Sequence, residues 1–338
     1  FAGTETALSQ RIITMNVTTL SGDIGIIGVA SDNAYHVVLA SFSNSTIGVT
    51  IDGFSIISGK ADGYSSSLNI NGTNIPRDFG GGIYASDGNN ILTNNTISSN
   101  SAYYGGCCYS NNSIISFTSN TISGNSASNE GGGIYAYFGS ITSSNNILSG
   151  NSAGSVGGGI STYWCATYIN NSTFSANTAF SGGGIYSYQR FVTINNNTFS
   201  KNSAYSAGGG IYLDDGDNFE VINNTFSENS ASNVGGGIYS NIGSKTIRNN
   251  TFSKNSATNN GGGFYANDGA SLFKNNIFWG NKKGTNSTIA NADFFNNVSS
   301  VNFTNNLMQL ASSAYNSSNN NGLGTSPTNN IFATDPLF

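Results

Sequence analysis

The stretch that decides the fold is 208–234, GGGIYLDDGDNFEVINNTFSENSASNV, because close variants of it recur along most of the chain. Its triple glycine has counterparts beginning at Gly80, Gly105, Gly131, Gly157, Gly182, Gly235 and Gly261. Its NTFS element has an apolar residue, Phe226, with counterparts at Ile97, Ile122, Leu148, Phe174, Phe199, Phe252 and Phe278. A fixed period of roughly 26 residues is the signature of a repeat architecture.

Each repeat contains three short extended segments, rich in β-branched and aromatic residues, that are separated by turns of Gly, Asn, Ser and Asp. Alternation along the first segment predicts that Ile211 and Leu213 point inward and that Tyr212 points outward. The sequence therefore predicts an all-β protein, a single right-handed parallel β-helix with three strands and about 26 residues per coil. One coil cannot bury its own core, so stability is expected to come from contacts between neighbouring coils.

Two columns of asparagine mark the ends of the segments. Identical amides stacked at strand spacing can bond to one another along the axis, which predicts structural corners rather than an active role. The first column is Asn95, Asn120, Asn146, Asn197, Asn224, Asn250 and Asn276. The second column is Asn100, Asn125, Asn151, Asn177, Asn202, Asn229, Asn255 and Asn281.

We expect one β-helix domain over 1–338. Its predicted parts are N-terminal coils over 1–59, a loop insertion over 60–79, eight regular coils over 80–285 and irregular C-terminal coils over 286–338. Because the chain opens on Phe without a signal peptide, we expect a mature product or a piece of a longer polypeptide.

The composition excludes several classes of protein. Only 8% of the residues are charged, which is too few to cover many amphipathic helices. The 11 basic residues against 16 acidic ones argue against nucleic acid as a partner. There is no apolar run of about 18 residues, so no helical membrane span is predicted. The regular aromatic residues, 12% of the chain, argue against disorder.

The repeats resemble those of right-handed β-helix proteins with polymorphic outer-membrane-protein repeats, which carry GGA[I/L/V] and FxxN in each coil. The second motif is intact in five coils, whereas the Ala of the first is Gly in most coils and Cys107 in one. The resemblance covers nearly the whole chain and implies the β-helix fold and a secreted or surface location. It implies no particular activity, because one fold supports many functions.

The sequence contains few residues of the types that catalyse polysaccharide cleavage. The single His, His36, lies in a strand-like run and is expected to be a surface or packed residue. One acidic cluster, Asp214, Asp215 and Asp217, has oxygen ligands that suit Ca²⁺ but lacks the full spacing of a calcium loop. The alternatives are a calcium site and a solvated turn. No other cofactor is predicted.

The chain has three cysteines, an odd number, so they cannot all pair with one another. Cys108 replaces an inward Ile and is expected to be buried, next to Cys107. Cys165 lies two coils away from this pair, which exceeds the reach of a disulfide. Cys165 is therefore expected to be unpaired or bonded to another chain.

A column of tyrosines lies beside the inward Ile of each coil and is broken by Ser161. The alternatives are strand propensity with stacking between coils, or an exposed stripe for adhesion, assembly or carbohydrate. The column is Tyr84, Tyr109, Tyr135, Tyr186, Tyr212, Tyr239 and Tyr265. Four N-x-T sequons are expected at outward corners where a glycan would fit. Their asparagines are Asn94, Asn196, Asn223 and Asn249.

Two functions are compatible with these features. The first is a non-enzymatic, extracellular or cell-surface protein that assembles with itself, head to tail or laterally, as a filament, sheath or adhesin. Cell-surface or host glycans are further possible partners. The second is a β-helix that binds or degrades polysaccharide. It predicts a cleft near Asp214, or under the insertion with Asp62, Arg77 and Asp78.

Overall fold

The computed structural model describes residues 6–7, 10–13, 15–42, 47–64, 66–70, 73–216, 218–285, 292–297, 301–309 and 328–332. These residues form a right-handed parallel β-solenoid of about nine turns with roughly 26 residues per turn. The predicted fold class is confirmed. Register repeats at the sequence period, as where Phe199 pairs with Phe174 on one side and with Phe226 on the other.

The NTFS segments build one parallel sheet of twelve strands, the Phe sheet. The alternation of Thr, Phe and Ser turns one large side chain inward in each regular coil, and from Ile97 to Phe278 that side chain is fully buried. Its strands are Thr18–Ser21, Phe54–Ile57, Thr96–Ser98, Thr121–Ser123, Ile147–Ser149, Thr173–Ser175, Thr198–Ser200, Thr225–Ser227, Thr251–Ser253, Ile277–Trp279, Leu307–Met308 and Ile331–Phe332.

The Ser-Ala segments that close each coil build a second parallel sheet of nine strands, the Ala sheet. Its small side chains let the chain turn tightly back to the glycine triplet. Its strands are Lys60–Ala61, Ser101–Tyr104, Ser126–Glu130, Ser152–Ala153, Thr178–Ala179, Ser203–Ala204, Ser230–Ala231, Ser256–Ala257 and Lys282–Lys283.

The remaining segments form the long sheet, which bends at a corner. In three coils a single strand of eleven residues runs through this corner, and in the others two shorter strands flank it. Its strands are Val38–Ser41, Thr50–Asp52, Ile83–Ser86, Asn89–Thr93, Cys108–Thr118, Ile134–Ser144, Ile160–Asn170, Ile185–Tyr188, Val192–Asn195, Ile211–Asp214, Asn218–Ile222, Ile238–Ser240, Ser244–Arg248, Phe264–Ala266, Ser271–Lys274, Phe294–Asn296 and Val301–Thr304.

The insertion begins later than the sequence predicted. Lys60 and Ala61 are a strand of the Ala sheet and pair with Ser101 and Ala102 of the next coil. Beyond them, Ser67–Ile70 and Thr73–Pro76 form an antiparallel hairpin that projects from the solenoid. A short 3₁₀ turn spans Ala30–Asp32.

The glycine triplet allows neighbouring coils to approach closely. Gly208 has a φ of +68°, a left-handed conformation that suits glycine. A Cβ atom added at Gly210 would lie 2.5 Å from the carbonyl oxygen of Gly237 in the next coil. Larger residues here would push the coils apart.

Both asparagine columns are buried ladders that join successive coils, as the sequence predicted. The amide of Asn202 donates to Oδ1 of Asn229 at 2.9 Å and to the carbonyl of Phe174 at 2.9 Å. Its own Oδ1 accepts from the side-chain and backbone nitrogens of Asn177, at 2.9 and 3.1 Å. In the other ladder, Ser172 replaces one Asn and accepts from the backbone of Asn146 at 3.1 Å.

Candidate functional site

A cleft of about 380 Å³ lies beside the hairpin and over the Ala sheet. Its floor is made of small side chains from successive coils, among them Ala102 and Ala127. Asp62 and Asp78 supply carboxylates, as the sequence predicted for this region. Tyr64 and Tyr103 also line the cleft.

The two carboxylates of the cleft have different surroundings. Asp78 is 9% exposed, and burial raises the pKa of its carboxyl. Asp62 forms an ion pair with Lys60 at 2.9 Å and is well exposed. The predicted third member, Arg77, lies over the ring of Tyr35, with 5.4 Å between Cζ and the ring centroid, and does not line the cleft.

The predicted tyrosine column is present, with its rings stacked along the axis. Neighbouring centroids are 5.3 Å apart for Tyr84 and Tyr109, and 4.5 Å apart for Tyr212 and Tyr239. The break at Ser161 is filled from the side. The ring of Tyr163 lies 5.8 Å from Tyr135 and 5.5 Å from Tyr186.

The prediction of an exposed tyrosine stripe is wrong for four of the seven rings. Other aromatic rings cover the N-terminal part of the column, where Phe79 and Tyr104 pack on it at 4.8 and 4.9 Å. The buried rings are Tyr84, Tyr109, Tyr135 and Tyr186. The half-buried rings are Tyr212, Tyr239 and Tyr265. Stacking between coils therefore explains most of the column.

Glu130 is a titratable group at this face that sequence reasoning missed. It pairs in register with Tyr104, and its Oε2 atom is buried without a hydrogen-bond partner among the described residues. Burial raises the pKa of Glu130 to about 7, and the neighbouring Tyr163 hydroxyl offsets part of the rise. The available signal was an acid directly before a glycine triplet, where the other coils have apolar or uncharged residues.

The acidic turn is engaged in bonds between coils. Asp214 accepts from the Tyr186 hydroxyl at 3.1 Å and from the Asn241 amide at 2.7 Å. Asp215 accepts from the Gln189 amide at 2.9 Å, and Asp217 lies outside the described residues. Within the described ranges, no group of three His, Cys, Asp or Glu side chains is placed to hold a metal ion. These bonds favour a structural turn.

Of the two alternatives for Cys165, burial favours the unpaired thiol over a bond to another chain. Its side chain is 1% exposed and lies in the core, where burial raises the pKa of the thiol to about 12. The reason is the corner at Trp164, whose φ of 50° shifts the alternation by one residue and turns Cys165 inward. Cys107 and Cys108 are also buried, as predicted for Cys108, and the three cysteines form no disulfide.

The remaining predicted residues are placed as follows. The sequon asparagines Asn94, Asn196, Asn223 and Asn249 are exposed at a corner with φ of 54–59°, and their glycosylation stays a prediction. His36 is half-buried, and its Nδ1 lies 3.1 Å from the carbonyl of Gly80. Burial lowers the pKa of this imidazole.

The described part of the chain contains no helix long and apolar enough to cross a membrane. No curated protein and no solved structure matches the chain. The family model described as right handed beta helix region matches residues 25–199 and 183–333, which together cover most of the chain. On this match and on its own coiled architecture, the chain belongs to the right-handed β-helix family.

Proposed function

We propose that this chain is a non-enzymatic structural protein of the cell surface or the extracellular space. The observation that carries the proposal is the uniformity of the coil-to-coil contacts. The asparagine ladders repeat the same buried bonds from coil to coil, with one interruption at Ser172 in one of them. The inner rings stack at 4.7–4.9 Å from Phe174 to Phe278. Such a stack makes a stiff rod with a nearly uniform cross-section.

Self-association is the second part of the proposal. Parallel coils can also pair across chains, because a strand edge that is left uncovered at the end of a solenoid is a template for another chain, and this is the basis for proposing head-to-tail assembly. Large apolar side chains on the flanks, such as Phe191 at 50% exposed and Tyr205 at 72%, support lateral assembly. The GGxI and FxxN repeats, which resemble those of polymorphic outer-membrane proteins, fit a surface location. The exposed sequons also fit it.

Electron microscopy and sedimentation velocity of the purified protein test this function. We expect filaments or laterally associated rods whose share of the mass grows with protein concentration. Strictly monomeric particles up to high concentration would contradict the assembly part of the proposal.

A second candidate function is supported by the cleft beside the hairpin. Asp78 is nearly buried and has a raised pKa, whereas Asp62 is exposed and pairs with Lys60. Such a difference in surroundings suits an acid and a base, and Tyr64 and Tyr103 supply aromatic walls. Polysaccharide cleavage there is tested with neutral and acidic polysaccharides, with and without Ca²⁺, by release of reducing ends. Turnover that is lost in Asp78→Asn would support the enzyme and overturn the non-enzymatic proposal.

A further inference from the structure

Two exposed aromatic rings form a ridge on the outer face of the Ala sheet. Most strands of this sheet turn an Ala inward, and the residue after it faces outward. In two neighbouring coils that outward residue is Phe180, 49% exposed, and Tyr205, 72% exposed, with ring centroids 5.4 Å apart. We call these two residues the aromatic ridge. In coil order, the outward column is Asp62, Tyr103, Ser128, Gly154, Phe180, Tyr205, Ser232 and Thr258.

The two coils before the aromatic ridge carry small residues in the same column. Ser128 and Gly154 leave a depression as long as the ridge, which we call the notch. The notch opens into the cleft beside the hairpin, because Ser128 also lines that cleft. A Cβ atom added at Gly154 would lie 2.2 Å from the carbonyl oxygen of Ser128, so a larger residue is strained there. The sheet therefore presents a ridge of two coils directly beside a notch of two coils.

A ridge beside a notch of equal length is self-complementary under a twofold axis. If the axis passes between Gly154 and Phe180, at right angles to the solenoid, the two copies run antiparallel. Phe180 then faces Gly154 of the second copy. One coil further, Tyr205 faces Ser128 of the second copy and enters its cleft. Each ring of the aromatic ridge thus meets a small residue, and both contacts occur twice.

The match continues on both sides of the aromatic ridge and the notch. In the same antiparallel register, Tyr103 faces Ser232 of the second copy, and Asp62 faces Thr258. Large and small residues therefore alternate across the whole column. In a parallel pair, each residue of the column would face its own copy, and the two ridges would collide.

The charges at the two edges of the Ala sheet also favour the antiparallel arrangement. Lys282 and Lys283 form the strand at the C-terminal edge. At the N-terminal edge, Asp62 pairs with Lys60 at 2.9 Å, and Asp23 lines a cavity with the same lysine. Antiparallel pairing lays each edge on the opposite edge of the second copy, so the C-terminal lysines approach the N-terminal aspartates.

We propose that a second copy of this chain docks antiparallel on the outer face of the Ala sheet, with the aromatic ridge of each copy seated in the notch of the other. The proposal rests on the self-association in the proposed function, and it defines the surface and the geometry of the lateral contact. The matched column spans eight coils, about 34 Å, and is one short strand wide. Such a strip is smaller than the roughly 800 Å² per partner of a standard interface, so the dimer is weak, with a Kd in the micromolar range.

Exchanging the two residues of one contact tests the proposal. Ser128→Tyr places a ring in the notch, where it collides with Tyr205 of the second copy, and Tyr205→Ser removes half of the aromatic ridge. The double variant with both changes again has one large and one small residue at each contact, with the sides exchanged. The matched control is Tyr168→Ser, at a tyrosine of the long sheet that is 41% exposed.

Sedimentation velocity over a range of concentrations measures the dimer constant of each variant, and circular dichroism checks its fold. We expect each single variant to weaken dimerisation about tenfold or more, because the twofold axis doubles the effect of every change. The double variant should recover most of this loss, and the control should dimerise like the wild type. Failure of the double variant to recover, or an equal loss in the control, would overturn the proposal.

Nitroxide labels on Lys201→Cys or on Lys254→Cys test the orientation, because the native thiols are buried. In the antiparallel dimer, the two copies of the label are offset along the axis by about 14 Å at position 201 and about 34 Å at position 254. A parallel dimer gives equal separations at the two positions, which would overturn the proposal. Filaments that assemble only end to end would also overturn it and leave the proposed function standing, whereas strictly monomeric particles would overturn both.

Discussion

Replacing one asparagine in the middle of a ladder should destabilise the protein far more than replacing an exposed asparagine. Asn202 is fully buried and takes part in four side-chain bonds, two as donor and two as acceptor. Asn202→Ala removes all four and leaves the amide of Asn177 and the carbonyl of Phe174 buried without these partners. At about 1 kcal/mol for each bond, the expected loss is about 4 kcal/mol of unfolding free energy.

The matched control is Asn259→Ala. Asn259 is exposed, and its amide also bonds to a neighbouring coil, donating to Asn233 of the preceding coil at 2.7 Å. Because water replaces an exposed bond, we expect this change to cost about 0.5 kcal/mol or less. Chemical denaturation followed by circular dichroism measures both variants. Equal losses in the two variants would refute the claim that the buried ladders hold the coils together.

Phe226→Ala should lower the free energy of unfolding by about 3–5 kcal/mol, because its buried ring stacks at 4.9 Å on both neighbours. Phe191→Ala, at a ring that is 50% exposed, should lower it by less than about 1 kcal/mol, and denaturation midpoints check both variants. Glu130 has a folded pKa of about 7, above its unfolded value, so the folded state holds the extra proton and stability should fall as pH rises from about 4.5 to 7. Thermal melts across this range should show a smaller fall in Glu130→Gln than in the wild type, and equal slopes would contradict the assignment. The three cysteines are buried with raised pKa values, so a thiol reagent should label them only after unfolding, and rapid labelling of the native protein would contradict their placement.

The coil and its ladders were predictable because they repeat. Inward Phe226 and the corner Asn224 follow from period and alternation alone, since each coil meets a near copy of itself. The repeat period alone therefore predicts the strand register, because the contacts of each coil are with its immediate neighbours. The same logic correctly placed the tyrosines in one column.

What the sequence did not predict lies where coils differ from the repeat. Burial of the Tyr135 ring depends on Tyr104 and Tyr163, which come from neighbouring coils and lie outside the tyrosine column. Cys165 faces the core because the left-handed corner at Trp164 shifts the alternation of inward and outward residues. The sequence did not predict this corner, since a bulky Trp rarely adopts a positive φ.

The proposed rod requires that equivalent residues stack one coil apart. Pulsed electron spin resonance between nitroxides on engineered cysteines measures this directly, because the native thiols are buried. Asn94→Cys is paired in turn with cysteines replacing Asn223, Asn249 and Asn305, which share its left-handed corner. The predicted separations are about 24, 29 and 38 Å, for five, six and eight coils. Separations that do not grow in proportion to the number of coils would contradict the solenoid.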